Sequence, residues 1–149
     1  MSRVLLIIGI VVLVAACSSA LPGNDVPRDF AVEIAEGGGF TGIWQGYRIE
    51  SDGQIFVWDG RSKPDTFTFT GRLSMKDLRT LWNEVSSARL IGYKPFHTPG
   101  NLTRRVYLQS NGQSIDVSWS VGPTPFELVR PFDTFFRHCR EIAQRVSNR

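Results

Sequence analysis

A chain of 149 residues with a net charge of +3 can bury one full hydrophobic core, and it lacks the broad basic field that a nucleic-acid surface needs. Its densest cationic region is terminal, where Arg137, Arg140, Arg145 and Arg149 complement the dipole of a closing helix. The two cysteines, Cys17 and Cys139, are too few for a disulfide-stapled scaffold, so the fold must stand on its core.

The chain opens with Ser2-Arg3, an apolar run from Val4 to Val14, and the small residues Ala15-Ala16 before Cys17. A positive start, an apolar stretch of this length and a small-residue cleavage site are the three parts of a secretory signal peptide. As a helix the run spans roughly 16 Å, against about 30 Å of bilayer hydrocarbon, which disfavours a transmembrane segment. Val14-Ala15-Ala16-Cys17 resembles the lipobox of bacterial lipoproteins. The resemblance implies diacylglycerol on the Cys17 thiol, cleavage after Ala16, and acylation of the new amino terminus. An aspartate after the cysteine favours inner-membrane retention in Gram-negative lipoproteins, so Ser18 points by the same resemblance to the outer membrane, facing the periplasm. The competing reading is an ordinary secretory peptide with Cys17 there by chance.

The expected organisation is residues 1–16 as signal peptide, 17–29 as the lipidated cysteine with its flexible tether, and 30–149 as a globular domain. Pro, Gly, Ser and Asn dominate residues 18–29, and no hydrophobic period is present. Fully extended, this segment reaches roughly 40 Å.

Phe30 to Glu36 alternates as a half-buried strand, and Gly37-Gly38-Gly39 ends it. Ile43 to Glu50 and Gln54 to Asp59 are β-rich runs around Ser51-Asp52-Gly53, a hairpin signal. After a polar loop from Gly60 to Asp65, Thr66-Phe67-Thr68-Phe69-Thr70 alternates strictly and predicts another strand. Ser74 with Asp77 has the spacing of a capping box. Met75, Leu78, Leu81, Trp82 and Val85 then follow at helical spacing, which predicts a helix over 75–88. Residues 92–101 form a loop rich in prolines and aromatics. Leu102 to Ser110 and Gln113 to Ser120 are strands joined by Asn111-Gly112, the preferred type I′ dipeptide. Gly122-Pro123-Thr124-Pro125 breaks the pattern, and Pro131 can open a last helix. Phe132, Phe135, Phe136, Cys139, Ile142, Ala143 and Val146 mark its apolar stripe. The expected fold is a single α+β domain. Its antiparallel sheet of about six strands, in the order ββββ-α-ββ-α, is covered by two amphipathic helices.

Gly37 to Gly42 spells G-x-G-x-x-G after a strand, yet a dinucleotide site needs a helix next, and Ile43-Trp44-Gln45 begins a strand. A glycine-rich turn is the better reading, with a ligand or another protein's backbone meeting its amides as a further option. His97 and His138 are the only histidines, and nothing has the spacing of a metal motif. Cys139, on the helix stripe, reads as a small apolar core residue. No serine-nucleophile motif or placed carboxylate pair supports catalysis, so no enzyme activity, cofactor or metal is expected. Trp44 and Trp58 flank the Ser51-Asp52-Gly53 turn and can share a sheet face. They would then make an aromatic platform if that face is uncovered, or core if it is not.

A strand followed by Gly38-Gly39-Phe40-Thr41-Gly42, further strands and a Leu-rich helix resembles emfourin, over residues 30–88. Emfourins are small bacterial inhibitors of thermolysin-like metalloproteases. The long hairpin from Ile43 to Asp59 and the second half of the chain depart from that pattern, so the resemblance implies a protein-binding role and transfers no inhibitory residue. The expected function is a membrane-anchored lipoprotein whose domain binds another protein without catalysis. An emfourin-like inhibitor and a small-ligand or glycan binder are the alternatives. The expected contact residues are Gly38, Gly39 and Phe40 in the turn, with Tyr93, Phe96 and His97 in the loop. Long ordered loops are disproportionately functional, and Pro95 and Pro99 lower the entropy lost on binding. The opposing reading has Tyr93 and Phe96 folded back to plug the core.

Overall fold

Alternating apolar residues set the central strand, β1 (Ala31–Gly38), with Val32 and Ile34 on one face and Glu33 on the other. A computed structural model describes residues 25–61, 64–122 and 127–148. The signal peptide, Cys17, most of the tether and the Pro123-Thr124-Pro125 break lie outside these residues. β1 pairs with β2 (Ile43–Glu50), which pairs with β3 (Gln54–Gly60), which pairs with β4 (Thr66–Arg72). On its other side β1 pairs with β6 (Thr103–Ser110), and β6 with β7 (Gln113–Ser120). The sheet order is β4-β3-β2-β1-β6-β7-β5. The β6–β7 hairpin turns at Asn111-Gly112 with φ of 51° and 72°, the pair of positive values that a type I′ turn requires.

The α+β architecture is as expected, with one more strand. β5 (His97–Thr98) is a two-residue piece of the 92–101 loop, and it runs parallel to β7, so the sheet is mixed rather than wholly antiparallel. Proline disfavours helical backbone in the preceding residue, so Pro99 holds Thr98 extended, and the free edge of β7 offers partners. His97 reaches Ser118 through its ring, with Nδ1 3.0 Å from Oγ, and Phe96 accepts a backbone hydrogen bond from Ser118 at 2.9 Å.

Both helices pack on the face that carries Val32, Ile34, Ile49, Ile55, Val106, Leu108, Ile115 and Val117. α1 (Met75–Ser87) buries Leu78, Leu81 and Val85, and Trp82 meets Phe30 edge-on at 5.5 Å. Met75, expected on this stripe, is instead about half exposed. The Ser74 hydroxyl accepts the Asp77 amide at 3.1 Å and donates to the Asp77 carboxylate at 2.7 Å, so aspartate closes the cap through the hydroxyl. α2 (Arg130–Ser147) opens with Pro131 in its first turn and buries Phe132, Phe135, Phe136, Cys139, Ile142 and Ala143. Among the described residues no helix is long and apolar enough to cross a membrane.

Ordered packing begins before the expected boundary at Phe30. Val26 packs against the core, and both Asp29 carboxylate oxygens accept amides of the β6–β7 turn, from Asn111 at 2.8 Å and Gly112 at 2.7 Å. Those two bonds hold the Asp29 carboxyl below its ordinary range. Two orphan turn amides are satisfied in this way, which ties the segment before β1 to the sheet.

Candidate functional site

Strand direction gives the sheet two distinct ends. The chain enters at Phe30, beside the Ser51-Asp52-Gly53 and Asn111-Gly112 turns, and β1 then runs away from it for about 25 Å. The glycine-rich turn lies at the far end. β1 extends to Gly38, the chain reverses through Gly39 and Gly42, and β2 follows at once with no helix. This arrangement rules out the dinucleotide reading, because no helix N-terminus faces the glycines.

Phe40 stands at the apex of that turn with its side chain fully in solvent, at 108% relative exposure. Ile43 pairs with Gly38 on one side, and Leu102 lies one residue beyond the Gly37–Thr103 pair on the other. Both are close to half exposed, at 49% and 43%. Gly39 joins the turn to the end of the 92–101 loop: φ is +62°, and a Cβ there would lie 2.5 Å from the Asn101 carbonyl oxygen. The Thr103 hydroxyl fixes that loop end, accepting from the Gly100 amide at 3.0 Å and donating to its carbonyl at 3.2 Å. The distal tip thus gathers three exposed apolar side chains around the short turn that closes the β1–β2 ladder.

The other expected contact residues fall elsewhere on the loop. Tyr93 and Phe96 turn inward and meet Phe132 edge-on, with centroids at 5.3 and 5.6 Å. They pack against the core cluster, and the loop leaves Lys94 and His97 exposed. The exposed aromatic is therefore Phe40, while the loop aromatics close the core. Ile43 and Leu102 were missed as site candidates because strand alternation assigns them a face but not the end of that face. Their place beside glycines and Asn101 was the available signal.

Behind the tip, a charged cluster fastens α2 to the sheet. Arg104 donates from Nε to Glu36 at 2.8 Å and from Nη1 to Asp133 at 2.7 Å, with its guanidinium 4.9 Å from the Phe136 ring centroid. Asp133 is 4% exposed and also pairs with Arg137 at 2.7 Å, while Arg140 reaches Glu36 at 3.2 Å. Two carboxylates shared among three arginines leave no buried charge unpaired, which is the condition for such a cluster to persist. Beside it, a groove of about 340 Å³ opens between α2 and the ends of β2 to β4, lined by Gln45, Tyr47, Asp59, Thr66, Arg140 and Gln144 among others.

Trp44 and Trp58 do share a face, since Gly46 pairs with Trp58, and it is the face opposite the helices. Trp58 is nevertheless only 3% exposed, because its indole lies flat over Gly46, where a Cβ would come 2.7 Å from Nε1. Burial and membership of the helix-covered core are separate properties, and Trp58 has only the first. Its Nε1 has no hydrogen-bond partner among the described residues. Trp44 is half-buried.

His97 and His138 do not converge: the first is at the edge of β7, and the second lies 2.7 Å from Glu84 of α1. Burial pushes the Cys139 thiol well above its ordinary value, with Glu84 adding to the shift. Among the described residues, no group of three or more His, Cys, Asp or Glu side chains is placed to hold a metal ion. No protein-family model and no curated protein matches this chain.

Proposed function

We propose that this chain is a lipoprotein anchored through Cys17, probing outward from the membrane with the distal tip of its α+β domain to bind another protein, without catalysis. The observation that carries the reading is Phe40, a fully exposed aromatic on the short glycine turn that closes the β1–β2 ladder, flanked by Ile43 and Leu102 at the sheet end farthest from chain entry. Presentation on a short turn reduces the entropy lost on binding, and exposed aromatics are favoured as interface anchors. The lipobox resemblance supplies the anchor, and Ser18 favours the outer membrane, facing the periplasm.

A photo-reactive residue at Phe40 in the full chain, cross-linked in cells and resolved by mass spectrometry, tests the reading. One discrete partner, lost in competition with unlabelled wild-type chain but not with Phe40→Ala, is the expected result. Diffuse adducts unaffected by either competitor count against it. The emfourin-like motif gives a narrower form in which the partner is a secreted metalloprotease, separable by an inhibition assay. A ligand-binding alternative rests on the groove beside α2, whose Asp59, without an ion pair among the described residues, and two glutamines suit a polar small molecule such as a glycan.

A further inference from the structure

β4 is a long strand at an outer edge of the sheet, and its first five residues carry little that protects that edge. At the opposite edge β5, only two residues long, pairs with β7. Natural sheets guard long edges with lysine, proline, inward charges or covering elements. Here the first five residues of the strand, Thr66-Phe67-Thr68-Phe69-Thr70, carry no charge and no proline, and the one charge, Arg72, comes at its end. Among the described residues nothing pairs with its outer side. Phe67 and Phe69 are 46% and 55% exposed, and they meet Phe56 edge-on at 6.4 and 5.9 Å on the face opposite the helices.

The five residues also read identically in both directions. An antiparallel pairing of two such strands about a two-fold axis at Thr68 sets Phe67 of each copy opposite Phe69 of the other. Threonines then meet threonines on the second face. Aromatic cross-strand pairs and threonine pairs are both stabilising in this arrangement. The flanking charges are compatible: Asp65 precedes the palindrome and Arg72 follows it, so antiparallel pairing sets each Asp65 diagonal to the other copy's Arg72, which also bridges Asp52 of its own chain at 3.5 Å. A parallel two-fold pairing would set like ends together and turn the aromatic face of one copy towards the helix side of the other.

We infer that β4 is a self-association edge, joining two copies of this chain into one continuous sheet. Two features stop the assembly at two copies. A register shift between Ile55 and Phe56 places an extra residue at Thr70, and such a bulge bends the strand and ends the ladder where the palindrome ends. The remaining outer edges of the pair are the β7 strands, which β5 pairs at Ser118 and Trp119 and near which the Leu90–Gly92 turn packs. An isologous contact of this kind closes on itself. The inference stands apart from the tip, which β4 does not line.

The test uses the full chain in its native membrane. Thr68→Cys places a thiol on the symmetry axis, where antiparallel neighbours lie about 4.5–5.5 Å apart between Cα atoms, inside the range a disulfide spans. Thr66→Cys places it two residues from the axis on each copy, roughly 13 Å apart along the strands and beyond reach. Mild oxidation should convert Thr68→Cys mainly to a covalent dimer, with essentially none from Thr66→Cys or the unsubstituted chain. In detergent the unsubstituted chain should sediment as a dimer, and Thr68→Lys, with an unchanged circular dichroism spectrum, as a monomer. Equal cross-linking at both positions, a monomeric unsubstituted chain, or a covalent adduct to a different protein would each overturn the inference.

Discussion

Replacing Phe96 with alanine separates the two roles open to the 92–101 loop. The ring is partly buried and meets Phe132 edge-on at 5.6 Å, and Phe132 is itself fully buried in the first turns of α2. Truncation removes roughly 100 Å² of buried apolar surface, worth about 2.5 kcal/mol at 25 cal/mol per Å². Loss of the edge-to-face pair adds about 0.5–1.5 kcal/mol, and partial collapse of the loop offsets some of this. The expected cost is therefore about 2–3 kcal/mol. Urea denaturation of a soluble chain lacking residues 1–17 measures it, and a double-mutant cycle with Phe132→Leu isolates the ring pair. A cost below about 0.5 kcal/mol would place the change in the range of ordinary surface substitutions and refute the plug. If partner capture fell at the same time, the loop would be a contact site after all.

Other outcomes follow from single features. Cys17→Ala should leave the chain unprocessed at the lipobox and without acyl chains, and an intact mass showing a lipid-free mature form starting elsewhere would contradict the anchor. Gly46→Ala should cost about 1–3 kcal/mol, because its Cβ collides with the Ile34 carbonyl and the Trp58 indole; an unchanged unfolding midpoint would mean that Trp58 does not lie flat on the sheet. Burial pushes the Glu33 carboxyl above its ordinary value of 4.5, against the opposing pull of Arg105 and Arg48. The folded state then holds that proton more tightly than the unfolded chain, so the associated stability is present below 4.5 and lost as pH rises through the folded value. Glu33→Gln should accordingly raise the Tm more at pH 7 than at pH 4, and the reverse order would contradict the burial argument.

Much of the fold was legible because local periods carry it. The α2 stripe from Phe132 to Ala143 is buried as its spacing implied, and Asn111-Gly112 forms the turn that its two positive φ values demand. Pairings between distant segments carry no such signal. Nothing local joins Ala31 to Gln109, or Arg104 to Glu36 and Asp133 across 68 and 29 residues. β5 was missed because two residues have no period, and their β7 partners lie 21 residues on. Alternation put Trp44 and Trp58 on one face, but which face the helices cover depends on the packing of α1 and α2. The tip was half legible: the glycines announced a turn, whereas the exposure of Ile43 and Leu102 depends on where β1 ends.

The central claim is that the distal tip is the binding surface. Met75 is as exposed as Ile43 but sits at the entry end, at the start of α1, which makes it the natural control. Photo-reactive residues placed singly at Phe40, Ile43, Leu102 and Met75 of the membrane-bound chain should capture the same discrete protein from the first three positions and not from Met75. Equal capture from all four, or capture from Met75 alone, would contradict the account.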